Sequence, residues 1–151
     1  MTTRLYKHIL VATDLSVHSN SIIKRAMELG KQTGAKLSMV HVLSHTAIAY
    51  AGEFSIPIDA EYQTVMKEHA YSQLLKISKK YDIPKKSVHL VEGSVKLAVA
   101  DLAEEIRADL IVLGTHAHEG LEKLLGSQVS AILHAAPCDV WVIRAQTRKT
   151  K

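Results

Sequence analysis

The chain has 151 residues, 47% of them hydrophobic, and a single cysteine, Cys138. A chain of this length is expected to fold as one domain with a sufficient core, and one cysteine excludes both an internal disulfide framework and a cysteine-only metal cage. The formal net charge is +4, but Arg144, Arg148, Lys149 and Lys151 crowd the C-terminal end, so the charge does not indicate nucleic-acid binding.

The first predicted elements are a strand and a helix. Residues 8–13 are short and apolar on both faces, as in a strand that is covered on both sides. Apolar residues at helical spacing over 19–33 predict a helix, with Ser19 or Asn20 as its N-cap and Gly34 as its left-handed end.

The next predicted elements are a strand at 37–43 and a long helix from Asp59 to about Tyr81. The connection at 44–58 is expected to lack strands and helices and to act as a flap. Along the helix, apolar positions recur at intervals of three and four. This pattern predicts one buried stripe, formed by Tyr62, Val65, Met66, His69, Ala70, Leu74 and Ile77.

The second half of the chain continues the alternation. Strands are predicted at 88–91, 109–113 and 140–143. A helix carrying Val95, Ala98, Leu102 and Ile106 follows the first of these strands, and a helix over 127–135 follows the second.

Alternating strands and helices predict an α/β fold: an open, doubly wound, Rossmann-like sheet of five parallel strands in the order 3-2-1-4-5, with helices on both faces. Residues 1–151 are treated as one domain with an ordered core at about 5–144 and a basic tail at 145–151. Ligands in such sheets bind beyond the carboxyl ends of the strands, where the winding reverses. The residues after strands one and four are therefore the candidate site.

Asp14 directly follows strand one. A carboxylate there can accept a hydrogen bond from an adenine amine or from a ribose hydroxyl. The alternative is that Asp14 only stabilises the following turn, which is a frequent use of aspartate.

A loop with three glycines follows strand four. It runs from Gly114 through Gly120 to Gly126, and Ser127 then begins a helix. Glycine lets the backbone approach a phosphate, and a helix N-terminus offers free N–H groups and a positive dipole end. The loop lacks the lysine of a Walker A motif and the spacing of a dinucleotide-binding turn. The alternative interpretation is an ordinary turn and helix cap.

The sequence resembles the universal stress protein family over nearly its whole length. The resemblance is carried by residues 6–16, 40–42, 108–116, 126–127 and 136–144. Members of this family are small cytoplasmic dimers with the fold predicted above, and many of them bind ATP.

Nucleotide-binding members carry Gly-x2-Gly-x9-Gly-Ser/Thr. Here Gly114, Gly126 and Ser127 match this pattern, Ala117 stands where the second glycine is expected, and the spacing from Ala117 to Gly126 is one residue short. The loop is also similar to that of a related nucleotide-binding branch, in which Gly120 belongs to the loop. Two interpretations stay open: an ATP- or AMP-binding stress-response module, and an adaptor that binds no nucleotide.

The resemblance implies a role for each matching residue. Ala12, Thr13 and Asp14 would face the adenine and ribose, and Val42 would line the adenine pocket. Leu113 and Gly114 would flank the ribose and α-phosphate, His116 would contact phosphate, and the remaining phosphates would bind at Gly120, Gly126, Ser127 and Gln128. Mg²⁺ or Mn²⁺ would accompany ATP by bridging its phosphates, because the sequence contains no carboxylate cage for a metal ion.

Little in the sequence indicates catalysis or a resident metal. No general base stands beside a nucleophile, so slow ATP hydrolysis or self-phosphorylation is the most that we expect. Related nucleotide-processing enzymes carry a Ser-Gly-Gly-like loop after strand one, which residues 13–16 lack. His41, His116 and His118 have no recognised ligand spacing, so no metal site is predicted, and Cys138 is expected to be buried and unreactive.

The last strand is apolar on both faces, although it is expected at the edge of the sheet. An exposed apolar edge invites pairing with another chain. We therefore predict a homodimer in which Val140, Trp141, Val142 and Ile143 pair antiparallel with a second copy. The alternative is that the basic tail folds back over this edge.

Other partners are expected to be proteins that the sequence cannot name. No apolar run approaches the roughly 18 residues that cross a membrane. Residues 1–15 lack a signal-peptide pattern. We therefore expect a cytoplasmic protein that binds neither membrane nor nucleic acid.

Overall fold

The computed structural model describes residues 4–43, 49–51, 54–56, 60–115 and 127–144, and of residues 49–51, 54–56, 60 and 127 the backbone alone. Strands and helices alternate along it. They are β1 (His8–Ala12), α1 (Ser19–Thr33), β2 (Lys36–Leu43), β3 (Ala49–Ala51), β4 (Phe54–Ile56), α2 (Ala60–Lys80), a 3-10 turn (Lys85–Ser87), β5 (Val88–Glu92), α3 (Val95–Glu105), β6 (Leu110–Thr115), α4 (Ser127–Ala135) and β7 (Asp139–Arg144).

The main sheet has five parallel strands in the order β5-β2-β1-β6-β7. This order confirms the predicted fold, because these strands are the third, second, first, fourth and fifth of the predicted series. The winding reverses between β1 and β6, which are hydrogen-bonded neighbours at the centre of the sheet.

Two apolar clusters, one on each face of the sheet, hold the helices. Ile9 and Val11 pack with Ile22, Ile23 and Leu74 of α1 and α2. Leu10, between Ile9 and Val11, points to the other face, where residues of α3 and α4 form the second cluster. Since successive side chains of a strand face opposite sides, a strand that is covered on both faces must be apolar on both, as β1 is from Ile9 to Ala12.

Helix α1 has the predicted bounds but a different start. Gly34 ends it in the left-handed conformation, with φ 73°. The N-cap residue is His18, whose side chain makes no capping hydrogen bond, so the predicted cap by Ser19 or Asn20 is wrong. The hydroxyl of Ser19 is hydrogen-bonded elsewhere, as described below.

The predicted buried stripe of α2 is only partly buried. Ala70 and Leu74 lie in the core, but Tyr62, Val65 and Met66 are 52%, 57% and 45% exposed. Helix α2 has 21 residues and β5 has 5. At about 1.5 and 3.3 Å per residue, the helix is about 31 Å long and the strand about 17 Å, so the strand cannot cover the helix along its whole length.

The long connection after β2 also differs from the prediction. Strands β3 and β4 pair antiparallel, with Ala49 opposite Ile56. Gly52 and Glu53 separate them, and a two-residue link that begins with glycine favours a hairpin. Within the described residues, no helix has the length and apolar character needed to cross a membrane.

Candidate functional site

A cavity of about 440 Å³ lies at the carboxyl ends of β1, β2 and β6. This position is the point where the winding of the sheet reverses, and open parallel sheets bind their ligands there. Three helices complete the walls. The lining residues are Val11, Ala12, Thr13, Asp14, Ser19, Ile22, Ile23, Val40, His41, Val42, Val95, Val99, Leu113, Gly114, Thr115, Gln128, Val129 and Ile132.

The cavity brings together candidates from four separate segments of the sequence. The candidates that line it are Ala12, Thr13, Asp14, Val42, Leu113, Gly114 and Gln128. Ser127 is the first residue of α4. His116, Gly120 and Gly126 lie outside the described residues, as do Ala117 and His118.

Sequence analysis missed much of the apolar wall. Val95 and Val99 of α3 and Ile132 of α4 reach the cavity, but their spacing is that of any buried helix face. Ser19 was considered only as a cap.

Four hydrogen bonds hold Thr13 in the loop that follows β1. Its N–H donates to the carbonyl oxygen of Val40 at 2.9 Å, and its own carbonyl oxygen lies 2.8 Å from Nδ1 of His41. Its hydroxyl accepts from the N–H of Leu15 at 3.1 Å and donates to Ser19 Oγ at 2.9 Å. A side chain that is 8% exposed thereby has its polar groups satisfied.

Asp14 stabilises the turn that follows β1 and also lines the cavity. Its Oδ1 accepts the N–H of Ser16 at 2.9 Å, which stabilises the turn, and also the hydroxyl of Ser19 at 3.0 Å. The residue is nevertheless exposed and lines the cavity. Its contribution to the turn therefore leaves the carboxyl group at the cavity.

His41 lies beside Asp14 in the cavity wall, and its ring has a defined orientation. A carbonyl oxygen can only accept, so Nδ1 must carry a proton and donate it to Thr13. In a neutral ring, Nε2 is then an acceptor.

Gly114 leaves space for a side chain of α1. A Cβ atom at this position would overlap Cδ1 of Ile22 and lie 3.0 Å from its Cγ1. Ile22 is 5% exposed and also lines the cavity. The missing side chain thus makes room for an apolar wall residue, in addition to any ligand.

The shifted pKa values belong to groups outside the cavity lining. Burial lowers the pKa of His8 and of His89 below the ordinary value of 6.5. Burial, followed by Asp139 and Asp109, raises the pKa of the half-buried Cys138 thiol, which fits the expected unreactive cysteine. Among the described residues, no group of three or more His, Cys, Asp and Glu could hold a metal ion.

Strand β7 lies at the edge of the main sheet and pairs with β6 on one side. Val140, Trp141 and Val142 are half-buried, and Arg25 stacks over Trp141 with its Cζ 5.2 Å from the ring centroid. Ile143 is 2% exposed and belongs to the core. Its side chain therefore belongs to the core of this chain, and its backbone groups are what it would contribute to the predicted pairing. The tail 145–151 lies outside the described residues.

Comparison with known proteins places the chain in a family. The sequence profile of the Universal stress protein family matches residues 5–144. Universal stress protein A homolog 1 of Coxiella burnetii is 46% identical over 138 residues, which are 91% of this chain and 96% of that protein. Universal stress protein A homolog 2 of the same organism is 29% identical over 92% of this chain and 95% of its own length.

Solved structures show the same fold. The universal stress protein UspA from Lactobacillus plantarum has a TM-score of 0.73 at 22% identity and covers 95% of this chain and 100% of its own. A crystal structure of a universal stress protein in complex with cAMP has a TM-score of 0.65 at 21% identity, covering 93% and 98%.

Proposed function

Because the chain belongs to the universal stress protein family, we propose that it binds an adenine nucleotide, ATP or AMP, in the cavity at the carboxyl ends of β1, β2 and β6. The observation that carries this proposal is the cavity itself. Its volume of about 440 Å³ lies in the usual range of small-molecule sites, roughly 300–1,000 Å³. The structural neighbour in complex with cAMP, an adenine nucleotide, supports the ligand class.

The inner part of the cavity suits a purine base. Val40, Val42 and Val99 line it, together with Leu113. These aliphatic side chains would contact both faces of a flat ring, and burial of an apolar ring surface contributes about 25 cal/mol per Å². Strand ends beside the ring supply backbone groups for its polar edge.

The mouth of the cavity suits a ribose and its phosphates. Asp14 is exposed there and offers an acceptor for ribose hydroxyls. Gln128, in the first turn of α4, lines the same cavity, and that turn contains no acidic residue. The positive end of the helix dipole would therefore stabilise phosphate.

A divalent ion would be held chiefly by the nucleotide. Among the described lining residues, Asp14 has the one carboxylate. Mg²⁺ or Mn²⁺ would then bind phosphate oxygens and water, as Mg²⁺ usually does with nucleotides. When bound, the ion would neutralise phosphate charge.

The nucleotide would act by changing how the protein binds its partners, and the protein would work in the cytoplasm as a homodimer paired through β7. The half-buried Val140, Trp141 and Val142 support that pairing, because an apolar edge strand is a surface for another chain. Pairing would bury these side chains and satisfy the outer backbone groups of β7.

Thermal unfolding with and without ligand tests the binding proposal. At a concentration of ATP one hundred times its Kd, binding would stabilise the folded state by about 2.7 kcal/mol, which raises Tm by about 5–10 °C for a domain of this size. GTP at the same concentration serves as the control for the base, and Asp14→Ala as the control for the site. Equal shifts with ATP and GTP, or an ATP shift that Asp14→Ala leaves unchanged, would contradict the assignment.

A further inference from the structure

The loop after β1 contains a chain of hydrogen bonds that leads to Asp14. The N–H of Leu15 donates to Thr13 Oγ1 at 3.1 Å, and the Thr13 hydroxyl donates to Ser19 Oγ at 2.9 Å. The Ser19 hydroxyl donates to Asp14 Oδ1 at 3.0 Å, and the N–H of Ser16 reaches the same oxygen at 2.9 Å.

The direction of each bond is fixed by what its groups can do. Ser19 has one hydroxyl proton, and an ionised carboxylate only accepts, so this proton goes to Asp14. Ser19 Oγ must then accept from the Thr13 hydroxyl, and Thr13 Oγ1 in turn accepts from the N–H of Leu15, which only donates. Bonds to an ionised group are about twice as strong as neutral ones.

Helix capping does not explain the hydroxyl of Ser19. Ser19 is the first residue of α1, and the N-cap position before it is occupied by His18. The nearby Ser21 hydroxyl bonds to the carbonyl oxygen of His18 instead. Ser19 is 4% exposed, and its described hydrogen bonds lead from Thr13 to Asp14.

The far end of the chain of hydrogen bonds is anchored in the sheet. The N–H of Thr13 donates to Val40 in β2, and His41 of the same strand donates to the Thr13 carbonyl oxygen. The orientation of an exposed carboxylate is therefore tied through two hydroxyls to the strands that wall the cavity.

We propose that Ser19 and Thr13 are positioning residues that hold the Asp14 carboxylate in the orientation that accepts ribose hydroxyls. This inference rests on the proposed nucleotide site and adds to it the residues that determine its preference for a ribose with free hydroxyls. A pre-oriented acceptor binds more tightly because less side-chain freedom is lost on binding.

The test compares two ligands on three proteins. ATP and 2′,3′-dideoxyATP, which lacks both ribose hydroxyls, are titrated by calorimetry into the wild type, Ser19→Ala and the control Ser21→Ala. We expect Ser19→Ala to weaken ATP binding about 10-fold and to change dideoxyATP binding less than 2-fold. Ser21→Ala should change neither. An equal loss for both ligands would show a merely structural role and overturn the inference.

Two further measurements make the result independent of one variant. In an Asp14→Ala background, Ser19→Ala should cause no further loss of ATP affinity, and a further 10-fold loss would contradict action through Asp14. Thr13→Val, which keeps the shape of the side chain, should give the same ligand pattern with a smaller loss.

Amide hydrogen exchange separates this inference from the proposed function. Ser19→Ala removes one of the hydrogen bonds that hold Asp14 Oδ1, so the N–H of Ser16, which donates to the same oxygen, should exchange faster in Ser19→Ala than in the wild type with no nucleotide present. If the wild type binds no ATP, the proposed function is wrong. Unchanged exchange at Ser16 would overturn the positioning role whether or not ATP binds.

Discussion

Replacement of Gly114 by alanine should destabilise the protein through one contact. The added Cβ would overlap Cδ1 of Ile22, which is 5% exposed and has no open space to retreat into except the cavity. The backbone of Gly114 is not in the left-handed region, so conformational strain adds nothing. Overpacking of this kind costs about 1–3 kcal/mol.

Urea unfolding measures the effect. With an m-value of roughly 2 kcal/mol per M, Gly114→Ala should lower the midpoint by about 0.5–1.5 M. Ile22→Val removes the overlapping Cδ1 and by itself costs about 0.5–1.5 kcal/mol. The double variant should be more stable than the sum of the two changes predicts, by about 1 kcal/mol. Rescue is partial, because Cγ1 would still lie 3.0 Å from the new atom.

Gly30→Ala is the matched control, because its Cβ would make ordinary contact at 3.4 Å with a carbonyl oxygen and alanine favours a helix by about 1 kcal/mol. Additive effects of Gly114→Ala and Ile22→Val would refute the packing role assigned to Gly114. Because a displaced Ile22 would enter the cavity, Gly114→Ala should also weaken ATP binding, and Ile22→Val should restore part of it.

Three further predictions concern other parts of the fold. Ser87 is 2% exposed, and its hydroxyl has no hydrogen-bond partner in the described part of the chain. Ser87→Ala should therefore raise the free energy of unfolding, measured with urea, by about 1 kcal/mol. A lower free energy of unfolding in the variant would mean that the hydroxyl has a partner. Val142→Asp should give monomers in sedimentation, because a charge on the half-buried face of β7 opposes pairing, and a persistent dimer would contradict pairing through that edge. Burial keeps the pKa of His8 below 6.5 in the folded state. As the pH falls, His8 is therefore protonated in the unfolded state before it is protonated in the folded state. The free energy of unfolding should decrease below about pH 6.5 for this reason. His8→Gln should reduce that decrease, and an unchanged pH profile would exclude His8 as its source.

The fold could be predicted from the sequence because the physical signal is local. The five sheet strands and the helices start and end within one or two residues of their predicted positions. Continuous apolar runs are typical of strands covered on both faces, and Gly34 ends α1 where the pattern stops. Candidate residues such as Asp14 and Gly114 could be found because they directly follow strands, whose ends meet at one edge of the sheet.

What could not be predicted depends on distances across the fold. The stripe of α2 has the right period, but whether Val65 is buried depends on how far the sheet extends beneath it. The close approach of Ile22 to Gly114 joins residues about ninety positions apart, and no periodic pattern indicates it. Ser19 has the residue type of a helix cap, and only the position of Asp14 in space gives its hydroxyl another partner.

The two ends of the sheet use their polar groups differently. At the amino end, His8 bonds to the Ile106 carbonyl oxygen at 3.0 Å and to Ser38 at 2.7 Å, while Asp109 accepts the N–H groups of Lys7 and His8. These groups satisfy one another and line no described cavity. At the carboxyl end, the hydrogen bonds of Thr13 and Ser19 lead to a carboxylate that is exposed at a cavity. Since His8 lies at the amino end of β1 and the proposed ligand binds at the other end, the loss of stability that His8 causes on acidification should arise at the end of the sheet opposite the nucleotide site.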